Sequence, residues 1–222
     1  MTPLLARILP FCLYMAFIAV PEIGSRSGLF EISAQTGAAL YPLKIGLVAL
    51  ALLLLRKWYD EMRLADLGNI GHTALSIGLG AVVFILWINL DHPFATTGDP
   101  QGFDPNTFGN MRLPMIAARI FGAAVIVPIM EELFWRSFLA RYLVDKNFTA
   151  VRHGTFTVFT FVSTAILFGL EHHLWLAGIM AGVAYNFLYM RTRSIMQCTL
   201  SHGVTNLLLG IYVLSTGQWL FW

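Results

Sequence analysis

About seven apolar runs interrupt this chain, each near the length at which an α-helix can cross a lipid bilayer. They fall at roughly 4–21, 38–55, 71–90, 113–140, 155–171, 174–190 and 194–215. Helix rise is fixed and the hydrocarbon core is about 30 Å thick, so a crossing takes about 20 mostly apolar residues. Backbone polar groups find no water in lipid, and runs of this length satisfy them as helices. The expected fold is all-α, a polytopic transmembrane helix bundle of about seven spans, forming a single domain over 1–222. Composition agrees: 57% of the residues are hydrophobic and 12% charged, against about 25% charged in soluble domains.

Loop charges give the expected orientation. Arg56, Lys57 and Arg63 follow the second run, Arg141, Lys146 and Arg152 the fourth, and Arg191 and Arg193 the sixth. The alternate loops hold Arg26, Arg112 and no basic residue around 170–174. The N-terminus is therefore expected in the cytoplasm. The first run lacks a clear small-residue cleavage site and more spans follow, so it reads as a retained span rather than a signal peptide. A net charge of +2, scattered along the chain, does not make a nucleic-acid surface. Cys12 and Cys198 both sit in apolar runs and read as small core residues, not as a disulfide or metal framework. Residues 91–110 are rich in Pro, Gly, Asp and Asn, which predicts turns.

Ionisable groups inside such runs are costly, by about 2.5–3.5 kcal/mol each on insertion scales, and they face the bundle interior or a hydrated cavity. The polar residues inside the runs are Arg119, Glu131, Glu132, Arg136, Glu171, His172, His173, His202 and Asn206. Glu132 and Arg136 are four apart, which puts them on one helix face in the favourable order for an ion pair. Glu131 lies about 100° away around the helix. A carboxylate without a fixed partner can serve as a general base or acid; the alternative is one buried ionic network of all three. His172 and His202 each read equally as hydrogen-bonded packing residues. Asn206 shares a face with His202, and both can donate hydrogen bonds. Tyr185 and Asn186 read as supporting or packing residues.

The conjunction says more than any member. A Glu, a His and a His/Asn pair occur on three separate spans. If they converge, they supply a base, its partner and two donors, an inventory suited to attack of water on a carbonyl with a stabilised oxyanion. No serine or cysteine is placed beside them as a nucleophile.

The motifs E-E-L-F-W-R at 131–136, F-G-L-E-H at 168–172 and H-G-V-T-N at 202–206 resemble those of the CAAX protease and bacteriocin-processing family. Its members are intramembrane glutamate proteases of the type II prenyl-endopeptidase kind. The resemblance covers roughly 113–215, the expected catalytic core, and leaves 1–90 as additional N-terminal spans. It implies that Glu131 activates water with help from His172. It also implies that His202 and Asn206 stabilise the oxyanion, with Glu132 and Arg136 in support. It implies no cofactor and no catalytic metal, and a membrane-associated protein or peptide substrate, lipidated in some members. The expected location is a bacterial inner (cytoplasmic) membrane. A bacterial subgroup linked to the exosortase protein-sorting system is of similar size and is suspected here. The competing readings are a zinc protease with Glu131, His172 and His202 as ligands, and a non-enzymatic scaffold or immunity protein.

One geometric conflict arises. At 1.5 Å per residue, Glu131 and His202 fall roughly 12–15 Å from the inner face and His172 at about 25 Å. They can meet only if the 170–174 linker turns inside the protein.

Overall fold

The structure, a computed structural model, describes residues 2–98 and 102–222. The tip of the expected turn-rich segment, 99–101, lies outside the described residues. Those residues form an all-helical bundle: α1 (Pro3–Ser27), the short α2 (Ala34–Ala39), α3 (Tyr41–Leu55), α4 (Ile70–Ile88), a long helical run α5 (112–142), α6 (Val158–Leu170), α7 (Trp175–Thr192) and α8 (Ile195–Thr216). Helices thus stand at all seven expected positions. Five segments, those containing α1, α3, α4, α5 and α8, are both long and apolar enough to cross a membrane.

The exceptions are informative. α6 has only 13 residues, about 20 Å of rise, which is short of a full crossing. Its start is fixed by Thr157, which accepts from the Thr160 N–H in a capping box, and its end by the turn at 171–174. α6 and α7 then pack backbone to backbone. A Cβ at Gly178 would lie 2.8 Å from Gly169 Cα, and one at Gly182 would lie 3.0 Å from Ala165 Cα. Small residues four apart on both helices allow this approach, the usual device of membrane helix pairs. The 155–171 span is therefore a helix about two-thirds of a crossing long, and its connection to α7 turns within the bundle. That resolves the depth conflict.

α5 is not a uniform α-helix. Gly122–Ile126 and Leu133–Leu139 are π-helical, bracketing the regular turn Val127–Glu132 that carries both glutamates. Such segments leave backbone carbonyls without their ordinary partners and often mark functional sites.

Near the start of α1, a second ionic cluster ties three elements together. Arg7 Nε and Nη2 grip Glu61 at 2.8 and 2.7 Å. Ser137 Oγ also bonds Glu61 and accepts from Arg141 Nη2 at 3.0 Å. Lys57, Arg63, Arg141, Arg152 and Arg193 line one cavity beside this cluster, so the loops expected to be cytoplasmic share one end of the bundle. The expectation for the cysteines holds for buried Cys198 and fails for Cys12, which is exposed on the outer surface of α1.

Candidate active site

Glu131, His172, His202 and Asn206 all line one cavity of about 190 Å³. Three motifs from separate helices therefore converge, with Phe168 and Tyr185 as part of the same wall. Glu131, Glu132, Arg136 and His202 are 3%, 0%, 1% and 4% exposed, so their charges interact with little screening.

The first motif divides as its helical spacing predicts. Arg136 Nη1 meets Glu132 Oε1 at 3.1 Å, and its guanidinium carbon stands 4.6 Å above the Phe168 ring. Its Nε donates to Asn186 Oδ1 at 3.3 Å, which gives Asn186 its supporting role. Glu131 does not reach the arginine. Its Oε2 lies 3.9 Å from His202 Nε2 and is buried without a hydrogen-bond partner, as is Glu132 Oε2.

Glu132 has a second contact that the sequence did not signal. Its Oε1 is 3.1 Å from His202 Nδ1. A carboxylate accepts, so Nδ1 carries a proton there and Nε2 is turned toward Glu131. The ring is held flat against Tyr185, with centroids 5.0 Å apart, and Tyr185 is fixed by donating to Thr205 at 2.8 Å. Glu132 is thus a positioning group for His202 as well as the partner of Arg136.

His172 sits in the turn after α6, not on the helix. Its backbone N–H bonds Gly169 O at 3.0 Å, and its Nδ1 bonds Phe168 O at 2.7 Å. A carbonyl only accepts, so Nδ1 is the donor and Nε2 is left as the acceptor. Trp87 packs edge-on against the ring, at 5.3 Å. His173 points elsewhere: it is half-buried and its Nδ1 bonds Thr97 O. Glu171 orients neither histidine; it accepts from Trp135 Nε1 at 3.0 Å.

Asn206 is placed by a backbone defect. In the first π-helical segment the Val127 N–H bonds Gly122 O, not Ala123 O. Residue 128, the next that could serve Ala123, is a proline with no N–H. Asn206 Nδ2 takes that carbonyl at 2.8 Å, leaving its second N–H free. Close approach of α8 to α5 makes this possible, since a Cβ at Gly203 would lie 2.7 Å from Ala124 O. The glycine in HGVTN is thus a contact requirement.

The rest of the cavity comes from outside the motifs. Tyr14 of α1 and Tyr41 of α3 line it, as do Arg119, Phe221 and Trp222. Only Arg119 stood out in the sequence, and without a role; the aromatic residues look like ordinary membrane-helix composition. Among the described residues no group of three or more His, Cys, Asp or Glu is arranged to hold a metal ion.

Two searches, of curated proteins and of solved structures, returned no match. The family model described as type II CAAX prenyl endopeptidase Rce1-like matches residues 113–208, the stretch that holds every motif residue of the cavity. Over that stretch, a little under half of the chain, the protein is similar to the Rce1-like family of type II CAAX prenyl endopeptidases.

Proposed function

We propose that this integral-membrane protein is an endopeptidase that hydrolyses a peptide bond of a membrane-associated protein or peptide. The observation that carries the reading is the convergence of Glu131, His172, His202 and Asn206 on one cavity. Glu131, with an unpartnered oxygen, takes a proton from water. His172 Nε2, left as an acceptor, holds the second hydrogen of that water. The hydroxide adds to the scissile carbonyl carbon. The developing oxyanion is met by the free N–H of Asn206 and by His202, whose Nε2 must then carry a proton. Collapse breaks the C–N bond, and the proton held by Glu131 passes to the leaving amine. Such donors lower the barrier most because they are fixed before charge develops.

The same unpartnered oxygens speak against a scaffold role. A network kept for structure satisfies its buried acceptors, and Glu131 Oε2 and Glu132 Oε2 are not satisfied. Loop charge supports a cytoplasmic N-terminus, and the family resemblance supports a bacterial inner membrane. Membership of the exosortase-associated subgroup rests on chain length. The test is a cleavage assay on membrane-embedded candidate peptides with wild type and Glu131→Gln. Cleavage should vanish in a variant that folds normally; undiminished cleavage contradicts the assignment of Glu131.

A further inference from the structure

At the end of the bundle where α1 begins and α3 and α7 end, a cavity of about 610 Å³ opens between the helices. It is larger than the catalytic cavity and shares no lining residue with it. Its wall carries five cations besides Arg7: Lys57, Arg63, Arg141, Arg152 and Arg193. Among the described residues none of the five is in an ion pair. The acids nearby are engaged elsewhere. Glu61 holds Arg7 at 2.7 Å, and Asp66, in the neighbouring cavity, accepts from Ser194 Oγ. Asp60 is the one carboxylate in the wall among the described residues; its side chain is 89% exposed and 3.7 Å from Arg7. One exposed carboxylate does not balance five converging positive charges, which repel one another.

Arg141 distinguishes this cavity from a solvated basic surface. It is 3% exposed. Its hydrogen bonds all go to uncharged partners: Ser137 O at 2.6 Å, Ser137 Oγ at 3.0 Å, Val151 O at 3.3 Å and His153 Nε2 at 3.4 Å. A guanidinium has five N–H groups, so one on Nη2 has no acceptor. Burying a cation without an anion is costly, and an anion in the cavity relieves that cost. Arg193 is placed there by the backbone. It ends α7 in the left-handed region, at φ 55°, where glycine or asparagine is usual. A Cβ on Gly154 would lie 2.9 Å from Arg193 Cγ. The stem of Arg193 therefore rests on the turn at Gly154 while its charged head stays accessible.

The donor chemistry selects phosphate. Arginine forks bind phosphate oxygens in pairs. Here the cations approach from the segment after α3, from α5, from the loop at Arg152 and from the end of α7. A group with oxygens pointing several ways meets them better than a planar carboxylate. The position selects the layer. Trp58 lines the same wall, and tryptophan is enriched at the headgroup level. Basic pockets between helices at a bundle end take lipid headgroups.

We propose that this cavity binds a phosphate group, with Arg141 at its base and Arg152 and Arg193 at its rim, carried by the headgroup of an anionic lipid or by a free phosphate ester. The site is separate from the catalytic cavity, and neither reading rests on the other.

The test follows thermal unfolding of the full-length, delipidated protein in dodecyl maltoside with no peptide present. The probes are dioleoylphosphatidylglycerol, dioleoylphosphatidylcholine and glycerol phosphate. A ligand that binds only the folded state raises the unfolding midpoint with concentration. Phosphatidylglycerol should act at concentrations on the order of tenfold lower than phosphatidylcholine. Arg141→Gln should abolish that preference. Arg152→Gln with Arg193→Asn should narrow it several-fold. Both of these residues are exposed, and asparagine tolerates left-handed backbone, so this pair carries the test should Arg141→Gln fail to fold. Arg56→Gln with Arg191→Gln removes two exposed charges that do not line the cavity and should leave the preference unchanged. Action by phosphatidylglycerol alone assigns the site to a lipid headgroup, action by glycerol phosphate alone to a free ester, and action by both to phosphate in either form. Equal action of the two lipids with none by glycerol phosphate, an effect that survives the cavity variants, or one that the control pair lowers as much as the cavity pair does, overturns the proposal.

Discussion

Helix α5 passes through two buried ionic clusters, and they are built on opposite terms. At its C-terminal end Ser137 and Arg141 join Arg7 and Glu61, and both Glu61 oxygens accept from Arg7 while Arg7 also reaches Pro3 O and Trp58 O. Six residues nearer its start, Glu131 and Glu132 each keep a buried oxygen with no partner, and His202 is shared between them at 3.9 and 3.1 Å. The first arrangement leaves nothing over to react. The second holds acceptors and an imidazole in place beside a cavity without using up their bonding capacity. Burial and charge alone do not distinguish the two; bond satisfaction does.

Breaking the satisfied cluster should cost stability and spare catalysis. Glu61→Ala leaves buried Arg7 with only the exposed Asp60, at 3.7 Å, as an anionic partner, a loss of up to about 3–5 kcal/mol, to be read as thermal unfolding in detergent. The fraction that remains folded should cleave at the wild-type rate. Replacing both partners, Arg7→Met with Glu61→Leu, should recover most of the loss, because no lone charge remains.

Breaking the unsatisfied cluster should do the reverse. Asn206→Ala removes an oxyanion donor and should lower kcat by about 10²–10³-fold with KM nearly unchanged, and the unfolding temperature should fall only by the loss of its bond to Ala123 O. Glu132→Gln is the substitution that should move both readouts, since Glu132 both pairs Arg136 and orients His202. Rescue of stability without rescue of rate by a second change at Arg136 would separate those two duties.

The smallest effect belongs to the loop beside the satisfied cluster. Burial first, then the Arg141 charge, pushes His153 down from 6.5 to about 4. The unfolded chain therefore binds this proton more readily than the folded one, and stability falls as pH drops from about 6.5 toward 4. His153→Gln should flatten that part of the unfolding profile and leave the cleavage rate alone.

Much of the bundle was legible because lipid imposes a length rule that composition reveals directly. The three motifs were legible because a charged or polar residue in an apolar run has few places to go. The rest depended on features with no compositional trace. A π-helical segment does not alter residue content, so the Ala123 carbonyl that places Asn206 could not be foreseen. The short α6 reads as a whole span, since apolar residues flank it on both sides of its turn into α7. Arg7 lies inside the first apolar run, and only the fold reveals Glu61 as its partner. The Glu132 to His202 contact joins residues seventy apart, beyond any helical periodicity.

The central claim is that Glu131 acts on water and Glu61 does not. It is tested most directly by measuring cleavage of one membrane-embedded peptide alongside thermal unfolding for Glu131→Gln and Glu61→Gln. The account predicts loss of cleavage at an unchanged unfolding temperature for Glu131→Gln, and a lowered unfolding temperature with retained cleavage for Glu61→Gln. Retained cleavage in Glu131→Gln, or a collapse of its fold in place of its activity, would contradict it.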